Sequence, residues 1–347
     1  MNKSLKIAIG IFILGLIVLA SYSLRPLKQL PYSEYENVKD TDSDLIIVGF
    51  SQLGSESDWR TANTKSIQRA LSKENGFSLI YSNGRQKQEN QIKDVRSFIF
   101  QEVDYIVIAP ETETGWDTVL EEAKEAGIPV IIVDRMIDTA DDTLYAAYVG
   151  TDKYEEGKKA GLWLEKYLKE QESKDKSSLK KKTYNIAVLE GTLNSTAQIG
   201  RSKGFEEIAK THKEWKILAQ ESGEFTKAKG KEVMAKYLQE FDDIDILLSQ
   251  NDDMTFGAIE AIQEDSLTCG VDGKIKIISF DGVSEAFDRM EEGLINVDIE
   301  CNPLQGQLIA NIIERLEKGE VVNKFSYMDE KVFEAENAAA ERIGRSY

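Results

Sequence analysis

Ile128-Pro129-Val130-Ile131-Ile132-Val133-Asp134-Arg135 is an unbroken apolar run that stops on a carboxylate and a guanidinium. It lacks the alternation of a half-exposed strand and reads as a strand buried on both faces. Similar runs stand at residues 45–50, 77–81, 105–108 and 145–149, with helical patterns near 59–74, 87–101 and 116–126 between them. Strands joined by crossover helices pair in parallel, so this half of the chain is α/β, a doubly wound sheet. A further helix puts Gly157, Gly161, Leu164 and Leu168 on one face, and the Lys/Ser-rich stretch 172–182 reads as a solvated loop. The pattern then restarts at 185–189, 215–219, 244–248, 275–279 and 295–299. Two such arrays in series predict two similar doubly wound parallel-sheet lobes. A last helix carries Leu304, Leu308, Ile312 and Leu316 as a core stripe.

The length of 347 residues suits two domains, and 41% hydrophobic residues supply both cores. Lys and Arg number 43 against 61 Asp and Glu, a net charge of -18. No basic patch is segregated, which argues against a nucleic-acid partner. Two cysteines and one histidine make no metal constellation. No glycine-rich phosphate or dinucleotide loop follows a strand, and no G-x-S-x-G elbow occurs. His212 lies in a polar turn and reads as a surface residue. The chain is therefore read as a non-enzyme, with no catalytic residue, metal or cofactor. Cys269 and Cys301 are expected to be buried free thiols.

Residues 7–24 form an uncharged stretch of eighteen, preceded by Lys3 and Lys6 and closed by Arg25. That is longer than the apolar core of a signal peptide and on the scale of a spanning helix. Residues 1–24 are thus a signal anchor or a cleaved signal peptide, and 25–44 a polar tether. Either way the globular part is extracytoplasmic, tethered by an N-terminal transmembrane helix or else secreted or periplasmic.

In open α/β sheets, ligands bind beyond the carboxyl ends of the strands. Those ends carry Ser51-Gln52, Asp134-Arg135, Asn251-Asp252-Asp253 and Asp281-Gly282, with Glu56, Trp59 and Arg60 after the first. Bidentate polar groups beside an aromatic suit a small polyol, in which vicinal hydroxyls need planar partners and an apolar ring face needs cover. Asp and Asn at these places also cap the helices that follow, so each residue alone reads equally well as a cap.

The stretches Val48-Gly49-Phe50-Ser51-Gln52, Ile128 through Arg135, Arg201-Ser202-Lys203-Gly204-Phe205, Gln250-Asn251-Asp252-Asp253-Met254 and Ser279-Phe280-Asp281-Gly282 resemble the type I periplasmic sugar-binding proteins of ABC importers, the ribose- and galactose-binding group. The decapeptide from Ser51 to Arg60, Gln86-Lys87-Gln88-Glu89-Asn90-Gln91 and Thr114-Gly115-Trp116 are similar to the galactofuranose-binding branch in particular. The resemblance implies two lobes, 45–150 with 302–326 and 151–301 with 327–340, joined by three hinge crossings and closing on one monosaccharide. It implies sugar contacts from Asp134 and Arg135 in one lobe and Arg201, Asn251 and Asp281 in the other, with Trp59 and Phe225 as opposed aromatics. Ser51, Gln52, Glu56 and Arg60 complete the expected substrate-binding set. The implied partners are an ABC permease and its ATPase, or a membrane sensor kinase that reads the same closure. Cys301-Asn302 departs from the family, whose members often place a glutamine at that hinge position.

Overall fold

The computed structural model describes residues 45–174, 183–345 and 347. The expected anchor, the tether and most of the 172–182 loop lie outside the described residues. Among the described residues no helix is long and apolar enough to cross a membrane.

The first array comprises β1 (Ile46–Gln52), α1 (Asp58–Ala70), β2 (Phe77–Asn83), α2 (Gln88–Phe100), β3 (Tyr105–Ile108), α3 (Asp117–Glu125), β4 (Val130–Asp134) and β5 (Ala147–Gly150). The second comprises α4 (Lys153–Lys174), β6 (Tyr184–Glu190), α5 (Thr196–Ala209), β7 (Trp215–Ser222), α6 (Lys227–Glu240), β8 (Ile246–Ser249), α7 (Asp252–Glu264), β9 (Lys276–Asp281), α8 (Ser284–Glu291) and β10 (Val297–Glu300). The chain then returns through α9 (Gly306–Glu317) and β11 (Phe325–Tyr327) to the first sheet, and crosses back to β12 (Val332–Glu334) in the second. The sheet orders are β11-β5-β4-β3-β1-β2 and β12-β10-β9-β8-β6-β7. Every described pairing is parallel except that of β12, an antiparallel edge strand beside β10.

The continuous apolar runs bury both sheet faces because successive side chains alternate in direction. In the first sheet Val107, Ile131 and Val133 pack under α1 and α9, whereas Ile106, Ile108 and Ile132 pack under α2 and α3. The second sheet repeats this, with Val188, Leu248 and Ile278 on the α4–α5 side and Leu247 and Ile277 on the side of α6, α7 and α8. The core face of α9 is Ile309, Ile312 and Ile313, with Leu308 and Leu316 of the predicted stripe half-buried against the same core; Leu304 precedes the helix and is exposed. His212 is not free on the surface but stacks on Trp215 at 4.3 Å between ring centroids.

Two glycines decide how close α4 and α5 can come. A side chain on Gly157 would meet the Arg201 carbonyl, and one on Gly204 would meet the Tyr154 carbonyl. Their absence lets the helices touch along their backbones, which brings the Arg201 Nε to 2.6 Å from the Glu156 Oε2. Gly157→Val overfills that seam and should lower stability by about 1–3 kcal/mol, read as a drop in the urea unfolding midpoint.

Candidate functional site

The carboxyl ends of β1, β4, β7, β8 and β9 face one another across a cleft between the two sheets. There they enclose a small cavity walled by Glu56, Ser57, Trp59, Arg60, Asp134, Arg135, Lys153, Ala197, Arg201, Phe225, Asn251, Asp281 and Cys301. The lobes meet around it. The Met136 N–H donates to the Thr196 hydroxyl at 2.8 Å, the Asp58 N–H donates to the Asp253 carboxylate at 3.2 Å, and the Arg135 guanidinium lies 5.4 Å from the centre of the Phe225 ring.

Every cation in the wall is already paired. Arg60 reaches Glu56 at 3.1 Å and Asp134 at 2.6 Å; Lys153 reaches Asp134 at 3.1 Å and Glu156 at 3.5 Å. Arg201 bonds Glu156 at 2.6 Å and Asp281 at 3.2 Å, and Arg135 stands 3.5 Å from Glu111. Burial alone would raise the Asp134 carboxyl, but Lys153, Arg60 and Arg135 outweigh it and hold Asp134 well below the usual carboxylate range. Two atoms stay unmatched in this wall, the Nη1 of Arg60 and the Oε2 of Glu56, both buried without a hydrogen-bond partner. A desolvated donor and a desolvated acceptor on adjacent side chains are open valences that a group able both to give and to take a hydrogen bond would match.

The backbone is unusual at the same positions. Asp134, Phe225 and Asp281 have φ of 63°, 58° and 117°, a region non-glycine residues enter at a cost and that clusters at binding sites. The Tyr148 hydroxyl donates to the Asp134 carbonyl at 2.7 Å and holds that turn.

The sequence profile of the periplasmic binding protein domain family matches residues 48–320. The chain belongs to that family. It is 41% identical over 276 residues to the galactofuranose-binding protein YtfQ of Escherichia coli strain K12, covering 79% of this chain and 82% of the relative. Its structure is similar to that of the binding protein of the arabinose ABC transporter from Shewanella sp. ANA-3, solved with α- and β-L-arabinofuranose, at 42% identity and a TM-score of 0.78, covering 85% of this chain and 94% of the other. A Mycobacterium smegmatis protein in complex with β-D-fucofuranose matches at 38% identity and a TM-score of 0.79, covering 85% and 93%. As a periplasmic binding protein the chain is a solute-binding, non-enzymatic component of sugar transport.

Of the residues expected at the site of this binding protein, Glu56, Trp59, Arg60, Asp134, Arg135, Arg201, Phe225, Asn251 and Asp281 line the cavity. Ser51 and Gln52 do not. They end β1 but are still paired with β2, Ser51 with Ser82 and Gln52 with Asn83, and their side chains are engaged inside the first lobe. The Ser51 hydroxyl donates to Asp94, and the Gln52 amide donates to Asn63 and Thr64. Asn251 does both jobs weighed for it: its Oδ1 accepts from the Met254 N–H as cap of α7, while its amide donates to the Phe225 carbonyl beside the cavity. Trp59 and Phe225 each meet a guanidinium, from Arg60 and Arg135 respectively. Sequence reasoning missed Ser57, Lys153 and Ala197 as wall residues, and Glu156 behind them. Cys301, expected as a hinge departure and a free thiol but not as a wall residue, also lines the cavity, and both cysteines are buried free thiols.

Behind Asp281 lies a carboxyl pair. Asp252 accepts from the Ser279 hydroxyl and the Val283 N–H, while Asp298 beside it is fully buried. Burial, with Asp281 nearby, pushes Asp298 from an ordinary 3.8 up to about 7, and neither of its oxygens has a hydrogen-bond partner. The folded protein therefore binds a proton there that the unfolded chain releases, so this contribution is full below about pH 4 and is lost as pH rises through about 7. Asp298→Asn should flatten the fall in thermal midpoint over that window and leave the variant more stable than the parent at pH 8.

Proposed function

We propose that the cavity holds one neutral monosaccharide in its furanose ring form, and that the chain is the extracytoplasmic receptor of an ABC sugar importer. The observation that carries this is the buried, unpartnered pair of Arg60 Nη1 and Glu56 Oε2. One sugar hydroxyl satisfies both, accepting from the first and donating to the second. Support for the furanose form comes from the relatives named above, a galactofuranose-binding protein and two proteins solved with arabinofuranose and fucofuranose. The pairing of every wall cation favours an uncharged ligand, since a sugar acid would have to displace an internal carboxylate.

Calorimetric titration with galactofuranose, L-arabinose, ribose, galactose and fructose should give micromolar or tighter binding for at least one, and no binding for galacturonate. Truncating one partner of a desolvated charged hydrogen bond costs about 2–5 kcal/mol, so Arg60→Ala, Arg135→Ala and Asp281→Ala should each lose at least tenfold in affinity. A flat response to every sugar overturns the proposal.

The tether rests on sequence alone. Eighteen uncharged residues at about 1.5 Å each make roughly 27 Å of helix, close to the hydrocarbon thickness of about 30 Å. The mature protein should stay with membranes through alkaline carbonate and leave only with detergent. A mature N-terminus between Ala20 and Ser23 on protein shed into the medium overturns the tether and leaves the sugar site untouched.

A further inference from the structure

We infer that Lys153 is a positioning residue of the sugar site, one that fixes the Asp134 carboxylate across the lobe boundary and sets sugar affinity without touching the sugar. The inference rests on the reading of the cavity given above.

Lys153 opens α4, just past the first crossing between the lobes, and its side chain is 3% exposed. An ammonium has three protons to give. Three acceptors surround this one: Asp134 Oδ1 at 3.1 Å, Cys301 Sγ at 3.0 Å and Glu156 Oε1 at 3.5 Å. Of these, Cys301 takes a hydrogen bond, and the two carboxylates hold the ammonium as ion pairs. The acceptors come from three places, namely the first lobe, the second crossing and the lysine's own helix, so the ammonium ties the hinge to the far wall of the site.

The surroundings explain why a lysine is there. Glu156, Cys301 and Glu330 bring ligand atoms within 4.8 Å of one another, with Glu330 contributed by the third crossing between β11 and β12. That is a spacing metal ligands show, but the Lys153 ammonium already stands beside two of the three and supplies the positive charge. Burial works against this ammonium; Cys301, Glu156 and Asp134 more than compensate and keep it protonated.

Asp134 is the beneficiary. Arg60 holds its Oδ2 and Lys153 its Oδ1, so the carboxylate is pinned from both lobes at a backbone position with φ of 63°. Each oxygen keeps a second lone pair for a sugar hydroxyl. Without Lys153, burial is opposed by Arg60 and Arg135 alone, so the Asp134 carboxyl rises and its Oδ1 loses its partner.

The experiment is a calorimetric titration, from about pH 4 to 8, of the parent, Lys153→Met, Lys153→Arg, Asp134→Asn and the double variant Asp134→Asn/Lys153→Met, with a sugar the parent binds. Lys153→Met should weaken binding at least tenfold at neutral pH. Its affinity should also begin to fall at a higher pH than the parent's on acidification, as the Asp134 carboxyl rises. Lys153→Arg should recover most of the loss, and the double variant should bind no more weakly than Asp134→Asn alone. The double variant removes both charges, so it keeps the comparison open where Lys153→Met folds poorly. Parent-like affinity and pH profile in Lys153→Met, or losses that multiply in the double variant, overturn the inference alone. A parent that binds none of the sugars overturns the reading of the site and this inference with it.

Discussion

A single run of alternating acidic and basic side chains crosses the molecule, from Glu56 to Arg60, Asp134, Lys153, Glu156, Arg201 and Asp281. Seven ionisable groups, all essentially excluded from solvent, are each held by at least one opposite neighbour. Such a chain is weak support for stability, because removing each ion from water costs several kcal/mol and the pairing returns little beyond that. Its effect is on arrangement. Removing one member leaves its neighbours buried and uncompensated, so the chain admits one relative placement of the two lobes and penalises others. The close approach of α4 and α5 at Gly157 and Gly204 belongs to the same constraint, since it sets the Glu156–Arg201 distance in the middle of the run.

The fold supplies the positions. A strand buried on both faces must end abruptly where its apolar residues end, and the next residues emerge at a cavity mouth. β4 shows the logic in its smallest form: Val130 to Val133 fill the two cores, Asp134 turns at positive φ, and Arg135 then points over Phe225 of the other lobe. Strain at Asp134, Phe225 and Asp281 is tolerated because the sheets beneath are over-determined by core contacts on both faces.

Much of this was legible in the sequence, for identifiable reasons. Unbroken Val/Ile/Leu runs show buried strands, and charged residues directly after them show where the walls lie. Ser51 and Gln52 were misplaced because β1 continues two polar residues beyond its apolar run, and periodicity follows side-chain polarity whereas the ladder follows backbone hydrogen bonds. β12 was missed because three residues at an edge make no period. Lys153 was invisible for another reason. It stands in a helix with Lys158, Lys159, Lys166, Lys169 and Lys174, and only the third dimension shows that one of these six is buried against Asp134 while the others lean outward or half-outward. The dual use of Asn251 was legible as two alternatives and turned out to be both.

Because the walls come from both lobes, ligand affinity and lobe closure draw on the same free energy. Apparent affinity scales with the fraction of molecules already in the binding-competent arrangement. The Met136–Thr196 and Asp58–Asp253 hydrogen bonds and the Arg135–Phe225 contact all join lobe to lobe without involving a ligand atom. Each raises the closed population and so tightens binding of any sugar that fits. Discrimination must then come from the few unmatched valences inside, because contacts between lobes are blind to what they enclose. In a wall where every cation has its carboxylate, a second fixed charge on the ligand has no counterpart. Under the proposed function, what remains to be read is the placement of hydroxyls against Arg60, Glu56 and Asp134. That placement depends on ring form, since a five-membered ring fans its substituents differently from a six-membered one, and a small cavity walled by side chains that already hold one another leaves little slack to absorb the difference.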